Sequence, residues 1–154
     1  VTKFGTQLKY TVTAEDKDDG TYIVLKKSGE NKEQTEIISE IKNKNAGYFI
    51  TSDKLGKGSD DLGRILMKSF LYTLSETKPY PDFLIFLNSG VKLTTEGSES
   101  VDDLMKLKEG GVKIVSCGTC LDFFEIKDKL RVGSISNMYD IVDMISSSTN
   151  TITI

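Results

Sequence analysis

Five consecutive apolar residues, Phe83-Leu-Ile-Phe-Leu87, lie between Pro79-Tyr-Pro81 and Asn88-Ser-Gly90. A strand with one wet face alternates apolar and polar side chains, so a run without alternation needs cover on both faces. Parallel sheets with helices on either side supply that cover. Shorter apolar runs recur at Tyr48–Thr51, Val112–Val115, Val132–Ile135 and Thr151–Ile154. Segments of helical period separate them. Strand and helix in alternation from 47 to 154 predict an α/β fold, a doubly wound, mostly parallel sheet of about five strands with helices on both faces.

The helical segments carry their own signals. Leu62, Ile65, Leu66, Ser69, Phe70 and Thr73 mark one face of a helix running to about Leu74, and Met67, Leu71 and Tyr72 widen its apolar surface in a way that suits an oligomer contact. Ser100 reads as an N-cap, with Val101, Leu104, Met105 and Leu107 facing inward and Gly110-Gly111 as the stop. Thr119 followed by Asp122 resembles a capping box and predicts a helix from about Cys120 to Leu130. Asn137 caps a helix through Ile145.

Residues 1–27 follow another pattern. Val1, Phe4 and Leu8 suit the end of an amphipathic helix, and Tyr10–Thr13 and Tyr22–Leu25 read as two strands of a β-hairpin turning at Asp18-Asp-Gly20. Such a fragment buries too little to stand alone. Residues 28–46 are polar and charged, as an exposed linker is, apart from Ile37, Ile38 and Ile41 at helical spacing.

Composition removes whole classes of chemistry. The net charge of −3 gives no electrostatic reason to bind nucleic acid or an anionic membrane. No apolar run approaches the roughly 18 residues that span a bilayer. The absence of a signal-peptide pattern makes a cytoplasmic location the expectation. The chain has no histidine, which takes away the usual general base and the commonest transition-metal ligand. Its two cysteines, Cys117 and Cys120, stand in Gly111-Val-Lys-Ile-Val-Ser-Cys-Gly-Thr-Cys-Leu-Asp122, directly after a strand. A reducing compartment favours reactive thiols there over a structural disulfide.

In an open parallel sheet, reactive groups gather beyond the carboxyl ends of the strands. The loops after Thr51, Leu87, Val115 and Ile135 emerge at that edge and bring together Ser52, Asp53, Asn88, Ser89, Cys117, Cys120 and Asn137. The Gly-rich loop Leu55-Gly-Lys-Gly58 fits neither the dinucleotide fingerprint nor a Walker A loop, and Asp60 and Asp61 after it repel an anion. With Thr119 as N-cap, Cys120 falls in the first turn of a helix, where the dipole lowers a thiol's pKa, and Asp122 and Glu125 hold that shift to a modest one. Gly118 leaves room to approach either sulfur. The pair admits four readings: buried small residues, half of an inter-subunit metal site, a dithiol–disulfide couple, or a persulfide carrier.

The chain resembles the DsrE/DsrF-like sulfur-relay family, and within it the YedF branch of sulfurtransferase-like selenium-metabolism proteins. The likeness rests on Ile50-Thr-Ser-Asp53 with Leu55-Gly-Lys-Gly58, on Leu62-Gly-Arg-Ile-Leu-Met-Lys-Ser-Phe-Leu-Tyr-Thr-Leu74, on Ile85-Phe-Leu-Asn-Ser-Gly-Val-Lys92, on the cysteine stretch, and on Asn137-Met-Tyr-Asp-Ile-Val142. It spans nearly all of 47–154. Residues 1–27 resemble the second half of a TusA-like domain. The resemblance implies a possible sulfurtransferase in which Cys117 carries a persulfide, passing sulfur or selenium between donor and acceptor proteins or thiols, with Cys120 as a resolving or second carrier thiol. Gly118, Thr119, Asn88, Ser89, Asp53 and Asn137 are the expected supporting residues. No cofactor and no metal are called for, and a homo-oligomer is expected, with no nucleic acid or membrane partner. A dithiol redox protein and a non-catalytic binding or assembly module remain the alternatives.

Overall fold

The computed structural model describes residues 10–17, 20–27 and 46–154. Two units divide the chain, 1–42 and 43–154. In the first, β1 (Tyr10–Lys17) and β2 (Gly20–Lys27) pair antiparallel, Tyr10 opposite Lys27 and Lys17 opposite Gly20. The expected helix end before Tyr10 and the expected linker over 28–46, all but its last residue, lie outside the described residues.

The second unit is built on a five-stranded, all-parallel sheet. Its strands are β3 (Ala46–Ile50), β4 (Phe83–Phe86), β5 (Lys113–Cys117), β6 (Ser134–Ser136) and β7 (Asn150–Thr153). Their order is β6-β5-β4-β3-β7. The apolar run takes the middle position, and all four residues of β4 are buried. Helix α1 (Asp60–Glu76) joins β3 to β4, and α2 (Val101–Glu109) joins β4 to β5 beside it. The chain then steps through the short α3 (Gly118–Phe123) to β6, reverses through α4 (Met138–Ser146), and ends beside β3. Right-handed crossovers put α1 and α2 on one face and, because the last connection runs backwards, α4 on the other.

The expected strands of this unit are present, with their bounds displaced along the chain by up to two residues. Two helices turn differently from expectation. The face of α1 that is buried carries Gly63, Met67, Leu71 and Ser75, whereas Leu62 and Ile65 are 53% and 62% exposed and Leu66 also faces outward. Gly63 decides the choice. Its position lies against the strand-to-helix loop, where an added Cβ would come 3.0 Å from Lys54 Cβ, and its carbonyl accepts from Leu55 N–H at 2.9 Å. In α2, Leu104 and Leu107 are buried but Met105 is exposed, and Ser100, although it holds the N-cap position, makes no capping bond through its side chain. Its backbone N–H donates instead to Ser98 Oγ at 3.2 Å.

The α1 surface is laced with ion pairs: Lys68 to Glu99 at 2.7 Å, and Lys106 to Glu76. All four partners are largely exposed, so solvent screening leaves these pairs little to add to stability. The stability of this unit resides in the sheet core. Among the described residues no helix is long and apolar enough to cross a membrane.

Candidate functional site: a thiol pair at the strand ends

Cys117 is the last residue of β5 and also the N-cap of α3. The capping box read into Thr119 and Asp122 does not form, and the helix begins one residue after Cys117, earlier than expected. It is also much shorter. Phe124 closes it, Glu125 adopts a left-handed backbone at φ 56°, and only a 3-10 turn at Lys127–Lys129 follows. A residue at positive φ cannot continue a right-handed helix.

This arrangement makes the two thiols unequal. Cys117 is held within the sheet by its pairing with Ser136 of β6 and is 2% exposed. Cys120, in the first turn of α3, is half-buried. The two sulfurs lie close enough to share a hydrogen bond. Neither is in a disulfide. Cys120 Sγ also accepts the backbone N–H of Asn88 at 3.1 Å. Asn88 is one of the expected supporting residues. It acts through its main chain, in a left-handed conformation (φ 47°) that asparagine tolerates better than most residues.

The expected lowering of the Cys120 pKa is reversed. Burial pushes this thiol above its ordinary value, the proton shared with Cys117 pushes it further, and the Asn88 N–H opposes both. A thiol kept protonated in the fold contributes stability below its unfolded-chain pKa of about 8.5, and that contribution is lost as pH rises through the folded value. Labelling Cys120 with iodoacetamide across a pH series should show a rate midpoint above that of a free thiol. In Cys117→Ala the midpoint should move down, because burial alone then opposes the Asn88 N–H. A wild-type midpoint at or below the free-thiol value would contradict this geometry.

The other expected site residues divide into two groups. Ser89 and Asp53 join the site, with Asp53 N–H donating to Ser89 Oγ at 3.2 Å, so the loops after β3 and β4 are tied together. Gly118 packs closely, since an added Cβ would lie 3.0 Å from Ile135 Cγ2. Ser52 Oγ is occupied by Lys54 N–H at 3.0 Å. Asn137 is spent as the cap of α4: Oδ1 accepts from Asp140 N–H at 3.0 Å, and Nδ2 donates to the Asp140 carboxylate at 2.9 Å. Thr119 makes no side-chain hydrogen bond in the site.

Two features escaped the sequence reading. Thr94 and Ser116 form a fully buried hydroxyl pair at 2.9 Å directly before Cys117 in the strand, and Thr94 Oγ1 donates on to Val91 carbonyl at 2.7 Å. A serine inside the apolar run Val115-Ser-Cys117 was the available signal. Lys92 lies over the Phe124 ring at 4.4 Å, holding the end of α3 against the 3-10 segment Asn88–Thr94. Beyond Lys92 lies an open cleft of about 410 Å3, lined by Asp53, Arg64, Lys68 and Glu99 among others and containing the Lys68–Glu99 ion pair. Among the described residues no group of three His, Cys, Asp or Glu could hold a metal ion.

Three of the solved structures similar to this chain illustrate the likeness. The ychN protein from E. coli matches with a TM-score of 0.56 at 16% identity, over 72% of this chain and 99% of its own. A protein of unknown function from Methanobacterium thermoautotrophicum matches at 0.53 and 19% identity, over 71% and 97%. One from Bacteroides thetaiotaomicron matches at 0.50 and 10%, over 71% and 95%. The fold is DsrE-like. Identities this low show the fold alone. No family model and no curated protein matches the chain.

Proposed function

We propose that residues 47–154 form a sulfur-relay domain that stores sulfane sulfur, or its selenium counterpart, as a persulfide on Cys117 and passes it to an acceptor protein or thiol. The observation that carries this reading is the paired placement of the only two thiols of the chain at the carboxyl edge of a parallel sheet, with a backbone N–H directed at one of them. The DsrE-like fold supports it. Thiolate attack needs no histidine base once the thiolate has formed. Burial of Cys117 shields a stored persulfide from adventitious thiols and from water.

Incubation with glutathione persulfide followed by intact-mass and peptide analysis tests the reading. The wild type should gain the mass of one sulfur atom, located on Cys117, and the Cys117→Ser, Cys120→Ser double variant should gain none. A wild type that gains nothing ends the proposal.

The proximity of the sulfurs also favours a second reading, a dithiol–disulfide couple. It requires a reversible Cys117–Cys120 disulfide under a defined thiol redox buffer. A persulfide carrier instead keeps both cysteines reduced there while accepting sulfur.

A further inference from the structure

We infer that Cys120, not Cys117, is the thiol that first receives sulfur from a donor, and that it hands the sulfur inward to Cys117. The inference rests on the persulfide reading above and assigns a separate task to each sulfur.

Accessibility is the first argument. A donor persulfide must bring its outer sulfur into line with the attacking thiolate, with its own thiol leaving on the far side. Cys117, embedded between β4 and β6 and 2% exposed, offers no such approach. Cys120 is half-buried, with one side open. Substitution at Cys117 by an outside donor requires the sheet edge to open; substitution at Cys120 does not.

The second argument is the contact between the sulfurs. In the first step the Cys120 thiolate attacks the outer sulfur of R–S–SH, a new S–S bond forms, and R–S⁻ departs and takes up a proton. The product is Cys120–S–SH. Its outer sulfur stands one S–S bond, about 2.05 Å, from Cys120 Sγ and within the space the two cysteines share. In the second step the Cys117 thiolate attacks that outer sulfur, the Cys120 S–S bond breaks, and the proton lost by Cys117 ends on Cys120. No net oxidation or reduction occurs, and no other reactant is needed.

The third argument is Asn88. Its N–H lies 3.1 Å from Cys120 Sγ, where it stabilises negative charge on that sulfur. Cys120 carries such charge as it becomes the attacking thiolate and again as it leaves in the inward transfer. The donor therefore serves both steps at the outer thiol. A thiol raised in pKa by burial is also a stronger nucleophile once ionised than an unperturbed one.

Two readouts test this on the full chain. In wild type, iodoacetamide should modify Cys120 at least about tenfold faster than Cys117. With glutathione persulfide and quenching at short times, sulfur should be found on Cys120 before Cys117. In Cys120→Ser the loading of Cys117 should slow by about tenfold or more, and in Cys117→Ala sulfur should remain on Cys120. Thermal melting of each variant confirms that the fold is kept. Loading of Cys117 at the wild-type rate in Cys120→Ser, or faster alkylation of Cys117, overturns the inference and leaves the persulfide proposal standing. A wild type that takes up no sulfur ends both.

Discussion

Phe86→Ala is expected to lower the unfolding free energy by about 3–5 kcal/mol, the range for truncating a fully buried phenylalanine. Phe86 closes β4, the central strand, and is among the largest side chains of the unit with no exposed surface. Its neighbours in the sheet are Ile50 and Ser116, so the side chain is enclosed by β3 and β5 and by the layers above and below. A strand buried on both faces cannot collapse into the space left behind, which is why the upper part of the range applies. Against a total of about 5–15 kcal/mol for a domain, the loss is large, roughly 15 °C in melting temperature. Urea denaturation should show it as a lower midpoint. A shift corresponding to less than about 1 kcal/mol would mean that the strand is not central.

Gly90→Ala is expected to cost about 1–3 kcal/mol and to disturb the thiol pair without touching it. An added Cβ would lie 2.5 Å from the Ile50 carbonyl oxygen, 3.2 Å from its carbon and 3.4 Å from Ser52 N. The obstructing atoms are backbone. That same carbonyl accepts the Leu87 N–H at 2.9 Å, so relief of the clash pulls apart the junction of β3 and β4. Asn88 and Ser89 ride on this junction, and with them go the hydrogen bonds to Cys120 and Asp53. The Asn88 N–H is the one contribution that favours the Cys120 thiolate, so the pH midpoint of Cys120 labelling should rise further in Gly90→Ala. Unchanged stability together with an unchanged midpoint would show that the junction does not position the site.

The elements most legible in the sequence were those whose chemistry allowed one solution. Phe83–Phe86 could be buried on both faces or nowhere, and it stands at the centre of the sheet. Asn137 offered an unambiguous cap and takes that role. Helix α1 offered two apolar stripes, and hydrophobicity does not choose between them. The winning face carries Gly63 and Ser75, small residues that permit close approach, and leaves Leu62, Ile65 and Tyr72 in solvent. In the site, the position of the cysteines at a strand end was readable from Val112–Val115, but the ending of α3 was not. It depends on Glu125 entering the left-handed region, which the residue type disfavours. The main-chain role of Asn88 was equally hidden, since backbone donors leave no mark in side-chain identity.

The brevity of α3 bears on how the thiols move. Six residues are too few to hold a helix by themselves, and this one is secured by buried Leu121 and by the packing of Lys92 on Phe124. Cys117 belongs to the sheet, whereas Cys120 belongs to this lightly anchored turn. Unwinding 118–123 would break few interactions and leave the five strands paired, so it is a local opening, far cheaper than global unfolding. Native-state hydrogen exchange should then find the amides of Leu121 and Phe123 exchanging well before that of Val115. The sheet thus acts as a fixed jaw and the helix as a hinged one, with the distance between the two sulfurs set by the angle of the hinge.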